Sequence, residues 1–168
     1  MFQKGEYVVY GTKGPCFIAD ITKLSLHGKN SEREYYVLHP VSSPKSVIYT
    51  PVDNDKVEIR SIMTNEEAER LIDEIPSIEM MQIRSERLRE DQYREVIKGV
   101  DLRACVSMVK TLLCKRKVRL EQGRKFTTVD ERYLKEAEEQ LFDELAISLS
   151  KPKEAVIDSI RTIVQGTI

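Results

Sequence analysis

A chain of 168 residues, 40% hydrophobic and 33% charged with a formal net charge of -1, has a globular composition with room for one ordinary domain or two small ones. No apolar run approaches the ~20 residues that span a bilayer, and the N-terminus has neither the basic start nor the apolar core of a secretory signal, so the expected compartment is the cytoplasm, with no membrane partner. Three cysteines (Cys16, Cys105, Cys114) and two histidines (His27, His39) match no zinc spacing and give no histidine pair one helical turn apart. No metal or cofactor is expected, and the thiols read as reduced and structural.

The near-neutral total conceals an asymmetry. Residues 81–125 hold 13 Lys+Arg against 6 Asp+Glu, whereas residues 1–76 hold 9 against 12 and residues 126–168 hold 5 against 9. A basic segment between two acidic ones is a candidate polyanion footprint, because Lys and Arg gain nucleic-acid affinity by releasing counterions from phosphate. The competing reading is an ordinary solvated helical face.

In chain order, Tyr7-Val8-Val9-Tyr10 is a short β-branched and aromatic strand, followed by a Gly11 to Pro15 turn. From Cys16 to Leu26 both parities carry apolar residues, which predicts a long, bent strand serving two sides of a small sheet. His27-Gly28-Lys29-Asn30-Ser31 reads as a hairpin connection. Strands are predicted over 33–38, 46–52 and 57–60, with Pro51 at a strand end or an edge because it has no N–H to donate. Five short strands punctuated by Gly and Pro fit a small SH3-like or Tudor-like barrel.

Thr64 with Glu67 forms a T-x-x-E capping box for a helix that Pro76 stops. A charged helix is predicted over 78–98, with Arg84, Arg87, Arg94 and Lys98 on one face and Gly99 at its end. Asp101 caps the next helix, whose Leu102, Cys105, Val106, Val109, Leu112 and Leu113 follow a core periodicity. Thr128 with Glu131 reads as a second capping box, before the stripe Leu134, Ala137, Leu141 and Leu145. A last helix follows Ser150 and Pro152, with Val156, Ile160, Ile163 and Val164 inward. The predicted class is therefore α+β in two domains: a small β-barrel over 1–61 and a compact all-α domain over 62–168. No glycine-rich phosphate loop, metal-ligand cluster or nucleophile elbow is present, so neither an enzyme nor a small-molecule substrate is expected.

The stretches "FQKGEYVVYGTKG", "EYYVL" and "VIYTPVDN" resemble the opening of the CarD/CdnL family of bacterial transcription regulators. The same order and character continue through "SERLREDQYREVIKG", "FTTVDERYLKEAEEQLFDELAISLS" and "KPKEAV". The N-terminal motifs are shared with the polymerase-binding module of the transcription-repair coupling factor. The resemblance implies a Tudor-like domain that docks on the RNA polymerase β subunit, and a helical domain that contacts promoter DNA at the upstream edge of the melted bubble. It implies no catalysed reaction, only stabilisation of the open promoter complex.

Carried over by position, Lys23, Leu24 and Tyr49 stand where the family makes polymerase contacts, although family members carry arginines at or beside two of these places. Several members also place a tryptophan at the start of the basic segment; this chain has none. The matching place is about Ser85, with Ile83 and Met81 the nearest apolar residues; the resemblance makes Ile83 the candidate for a weaker version of the DNA contact that this tryptophan makes. Arg84, Arg87 and Arg89 are the candidate phosphate contacts, which position a protein without reading sequence. The alternative is a protein-interaction adaptor whose barrel binds a partner and whose basic helices touch no nucleic acid.

Overall fold

The computed structural model describes all residues, 1–168, and divides into two compact units, Met1–Ile62 and Met63–Ile168. The first is a five-stranded antiparallel sheet: β1 (Tyr7–Tyr10), β2 (Pro15–Leu24), β3 (Arg33–Pro40), β4 (Ile48–Pro51) and β5 (Ile59–Ser61). The ladder order is β4-β3-β2-β1-β5, which puts β4 and β5 at the edges. This arrangement is consistent with a Tudor-like β domain. Pro51 closes the edge strand β4, where its missing N–H costs the ladder least.

A bulge explains the double parity of β2. Ile18 faces Leu38 and Asp20 faces Val37, so Ala19 is the extra residue and the alternation reverses there. Before the bulge Cys16 and Ile18 point to the core with Val8, Tyr36 and Leu38; after it Ile21 takes over that face. The Cys16 thiol is buried beside these residues, and desolvation pushes its pKa up to about 12. Gly11 makes the turn after β1 possible. Its φ is +44°, and a Cβ there would stand 2.6 Å from Val57 Cγ1.

The second unit holds five helices: α1 (Asn65–Glu74), α2 (Arg89–Lys98), α3 (Leu102–Glu121), α4 (Thr128–Leu149) and α5 (Lys153–Gln165). The Thr64–Glu67 capping box forms with both reciprocal hydrogen bonds, and Asp101 accepts from Arg103 N at the start of α3. The apolar stripes of α3 and α4 meet in one core with Leu71, Tyr93, Val156 and Ile160. Glu144 is buried in α4, where its Oε1 accepts from Met63 N at 3.0 Å and fixes the chain as it enters α1. No helix is long and apolar enough to cross a membrane.

Two expectations are corrected. The Thr128–Glu131 capping box does not form: α4 begins at Thr128 with Thr127 as its N-cap, whose side chain accepts from Asp130 N, while the Asp130 carboxylate turns to Arg89 and Tyr93. The helix expected over 78–98 is helical only over Arg89–Lys98. Residues 78–88 run as irregular chain after a 3-10 turn at Ile75–Ser77. The reason is where the backbone groups find partners. Met81 N donates to Thr111 Oγ1 at 2.9 Å, and Lys110 Nζ and Ser107 Oγ donate to the carbonyls of Ile78 and Glu79, each at 2.7 Å. Arg84 N donates to Gln92 Oε1, whose amide group in turn donates to Gln82 O. Side chains of α2 and α3 thus satisfy what a helix would have satisfied internally, while Ile78, Met81 and Ile83 pack against the core.

Candidate functional site

In the sheet unit the strand register determines which candidate residues share a face. Leu24 pairs with Arg33 and Tyr49 with Val37, so both lie on the face opposite the small core, together with Tyr7 and Phe17. Lys23 pairs with Glu34 and belongs to the core face, where the strand end leaves it exposed. Lys23 and Tyr49 are therefore not brought together.

Tyr49 is 52% exposed on the edge strand, and Leu24 is half-buried. Tyr7 and Phe17 pack as a tilted aromatic pair, 5.2 Å between centroids, across β1 and β2, both on the outer face and both partly exposed. Pairing of β2 with the N-terminal stretch ends at Ile18, which donates to Glu6 O and accepts from Gly5 N. From residue 20 to 24 the ladder continues with β3 only. Of the stretches with an open edge, two carry candidate residues: β4, with Tyr49, and the end of β2, with Lys23 and Leu24.

In the helical unit the four candidate DNA residues separate into three environments. Arg84 and Arg87 are exposed on the irregular segment, and neither guanidinium has a carboxylate within ion-pair distance. Ile83 is half-buried and packs on the core. Arg89, the first residue of α2, is only 20% exposed; its Nε donates to Asp130 Oδ1 at 2.9 Å and its Nη1 to Glu86 O at 2.7 Å. Because residues 84 and 87 precede the helix, the expected row Arg84, Arg87, Arg94 and Lys98 is not one helical face. Arg94 is in any case paired with Glu90 and Asp91.

Asp130 is the centre of a network that sequence reading missed. Its carboxylate is fully buried, accepts from Arg89 and from Tyr93 OH at 3.0 Å, and has Lys115 Nζ 3.2 Å from Oδ2, outside hydrogen-bond geometry. Glu86 pairs with Lys115 at 2.8 Å, so two acids and two bases balance. Burial works to raise the Asp130 pKa, but contacts from Thr127, Arg89, Lys115 and Tyr93 outweigh it and hold the carboxyl below its ordinary value. The same burial, with the Asp130 charge beside it, holds the Tyr93 phenol in its neutral form well above the usual range.

Leu88 is a second residue missed. It precedes α2, stands between Arg87 and Arg89, and is 53% exposed. A lone leucine inside "SERLRE" was the available signal. The assumption of a continuous helix hid it. No three His, Cys, Asp or Glu side chains converge to hold a metal ion.

Residues 2–63 match the family model described as the CarD-like/TRCF RID domain. No curated protein matches the chain. The match covers the sheet unit; that domain family interacts with RNA polymerase and is non-catalytic, which is consistent with a protein that is not an enzyme and supports RNA polymerase as a partner and a transcription factor in general. Over these residues the sheet unit is similar to the CarD-like/TRCF RID domain, and this supports the CarD/CdnL-type resemblance that the sequence motifs carry. Residues 64–168 lie outside the match.

Proposed function

We propose that this protein is a non-enzymatic transcription regulator of the cytoplasm, with 1–61 a Tudor-like polymerase-binding domain and 62–168 a helical DNA-contacting domain. The Tudor-like domain holds the RNA polymerase β subunit through Lys23, Leu24 and Tyr49. The helical domain presents Arg84 and Arg87 to the promoter backbone beside the melted region, which stabilises the open complex. The observation that carries this reading is the domain match over residues 2–63 together with two exposed, unpaired arginines on a segment pinned by its neighbours.

The division of labour follows from exposure. Arg84 and Arg87 are free to exchange water for phosphate, whereas Arg89 already neutralises Asp130 and serves to hold the segment in place. Ile83 is committed to packing, so Leu88 is the apolar side chain that this segment offers to an unstacked base step. Docking on polymerase makes the DNA contact effectively intramolecular. A preference of ~1–2 kcal/mol for the open state then shifts the open-to-closed ratio about 5- to 30-fold.

The test is a promoter footprint with RNA polymerase and the full chain carrying Arg84→Glu and Arg87→Glu. The expected outcome is loss of open-complex stabilisation with polymerase binding intact. Unchanged stabilisation by the doubly reversed variant would instead leave the adaptor, whose helical domain touches no DNA. In the same assay Arg89→Gln is expected to act through disorder of the segment, and Leu88→Ser to weaken stabilisation without changing polymerase binding.

A further inference from the structure

The apolar stripe of α3 does not end where its cover ends. Cys105, Val109, Leu112 and Leu113 are buried, and the helical period carries the stripe on to Arg116, Lys117 and Leu120, where Leu120 is 60% exposed. Facing these residues are Gln165, the last of α5, and Ile168; together they line a groove of about 380 Å³. Leu113, Leu120 and Ile168 supply an apolar floor, and the stems of Arg116 and Lys117 extend it.

The rim is cationic and uncommitted. Lys115, the preceding residue, is tied to Glu86 and Asp130, but neither Arg116 nor Lys117 has a carboxylate within ion-pair distance. Arg119 is already occupied, its Nε donating to Lys125 O at 2.8 Å. A DNA backbone could satisfy the two free cations but would leave the accessible apolar side chains Leu120 and Ile168 facing phosphates. An acidic amphipathic helix satisfies both, with apolar residues at i, i+3 and i+4 in the floor and carboxylates at the rim. The charged rim would govern encounter rate and salt dependence, and the floor would govern residence.

We propose that this groove docks an acidic amphipathic segment of a partner protein. The proposal is separate from the promoter reading and does not rest on it.

The experiment is an amide NMR titration of the full chain. The probe is a synthetic amphipathic peptide of leucine, alanine and glutamate with its leucines on one helical side. Saturable shifts centred on Leu113, Leu120 and Ile168 are expected. Leu120→Ser should weaken binding at least about tenfold, a change of ~1.4 kcal/mol, and Arg116→Glu with Lys117→Glu should do likewise. Val118→Ser, an exposed residue of α3 that does not line the groove, should have no effect. Leu120 is mostly solvent-exposed, so its serine variant should fold, as far-UV circular dichroism will verify. Absence of saturable binding overturns the proposal. So does equal binding of a peptide whose leucines are replaced by serine, indifference to Leu120→Ser, or displacement of the peptide by short duplex DNA that shifts the same residues.

Discussion

In the sheet unit, Leu24 and Tyr49 are aimed by the ladder itself: alternation decides the face, and β3, paired with β2 along its length and with β4 over Tyr35–Leu38, holds the register. In the helical unit, Arg84 and Arg87 sit on a stretch with neither helix nor ladder of its own, held by hydrogen bonds lent by Thr111, Ser107, Lys110 and Gln92 and by the Asp130 network at its end. The first kind of site is insensitive to most single side-chain changes. The second depends on a few named polar groups, each removable by one substitution, and it can be loosened without unfolding the core.

The sharpest way to break that contrast is Asp130→Ala. Removing the buried member of the ionic network takes from Arg89 its close buried partner and leaves both Arg89 and Lys115 with the exposed Glu86 alone, and a cost of about 3 kcal/mol is expected in urea or thermal unfolding. Acid should reproduce part of it. Asp130 has a lower pKa folded than unfolded, so the unfolded chain binds the proton more readily. The contribution is complete above the ordinary carboxylate pKa of 3.8 and fades as pH falls through the lower folded value. The helical unit should therefore lose stability below about pH 4, and the Asp130→Ala variant should lack that component of the acid transition.

A milder change sharpens the comparison. Thr111→Val removes the hydroxyl that receives Met81 N while keeping the shape of the side chain. About 1 kcal/mol is expected, with faster amide exchange at Met81 and little change in the α3–α4 core. Smallest of all, Tyr49→Ser should change stability by less than about 0.5 kcal/mol, since the residue is an exposed edge position with its register held by backbone. It should nonetheless weaken polymerase binding in a pull-down with the full chain.

Much of the architecture was legible because its causes are local. The T-x-x-E box at Thr64, the Asp101 cap, the stripe from Leu102 to Leu113 and the edge position of Pro51 each rest on residues within a few positions of one another. The expected Thr128–Glu131 box was misplaced: Thr127 is the N-cap of α4 and accepts from Asp130 N, while the Asp130 carboxylate is drawn off to Arg89 and Tyr93. The double parity of β2 signalled a bend, but only pairing with β3 located the bulge at Ala19. For the candidate sites, sequence named Arg84, Arg87 and Arg89 as equivalents. The structure distinguishes two exposed arginines from one engaged with a carboxylate 41 residues away in sequence.

Taken by itself, then, the sequence determined the strand-rich start, the helical remainder, the caps and the inward stripes, because hydrophobic period and capping chemistry act over one or two turns. Only the tertiary structure decided that residues 78–88 are not helix, that Arg89 is spent on Asp130, and that Leu88 and Leu120 remain in solvent. Those outcomes turn on which distant side chains supply hydrogen bonds and counter-charges, and on where the cover over an apolar stripe runs out. Neither is encoded in the spacing of neighbours along the chain.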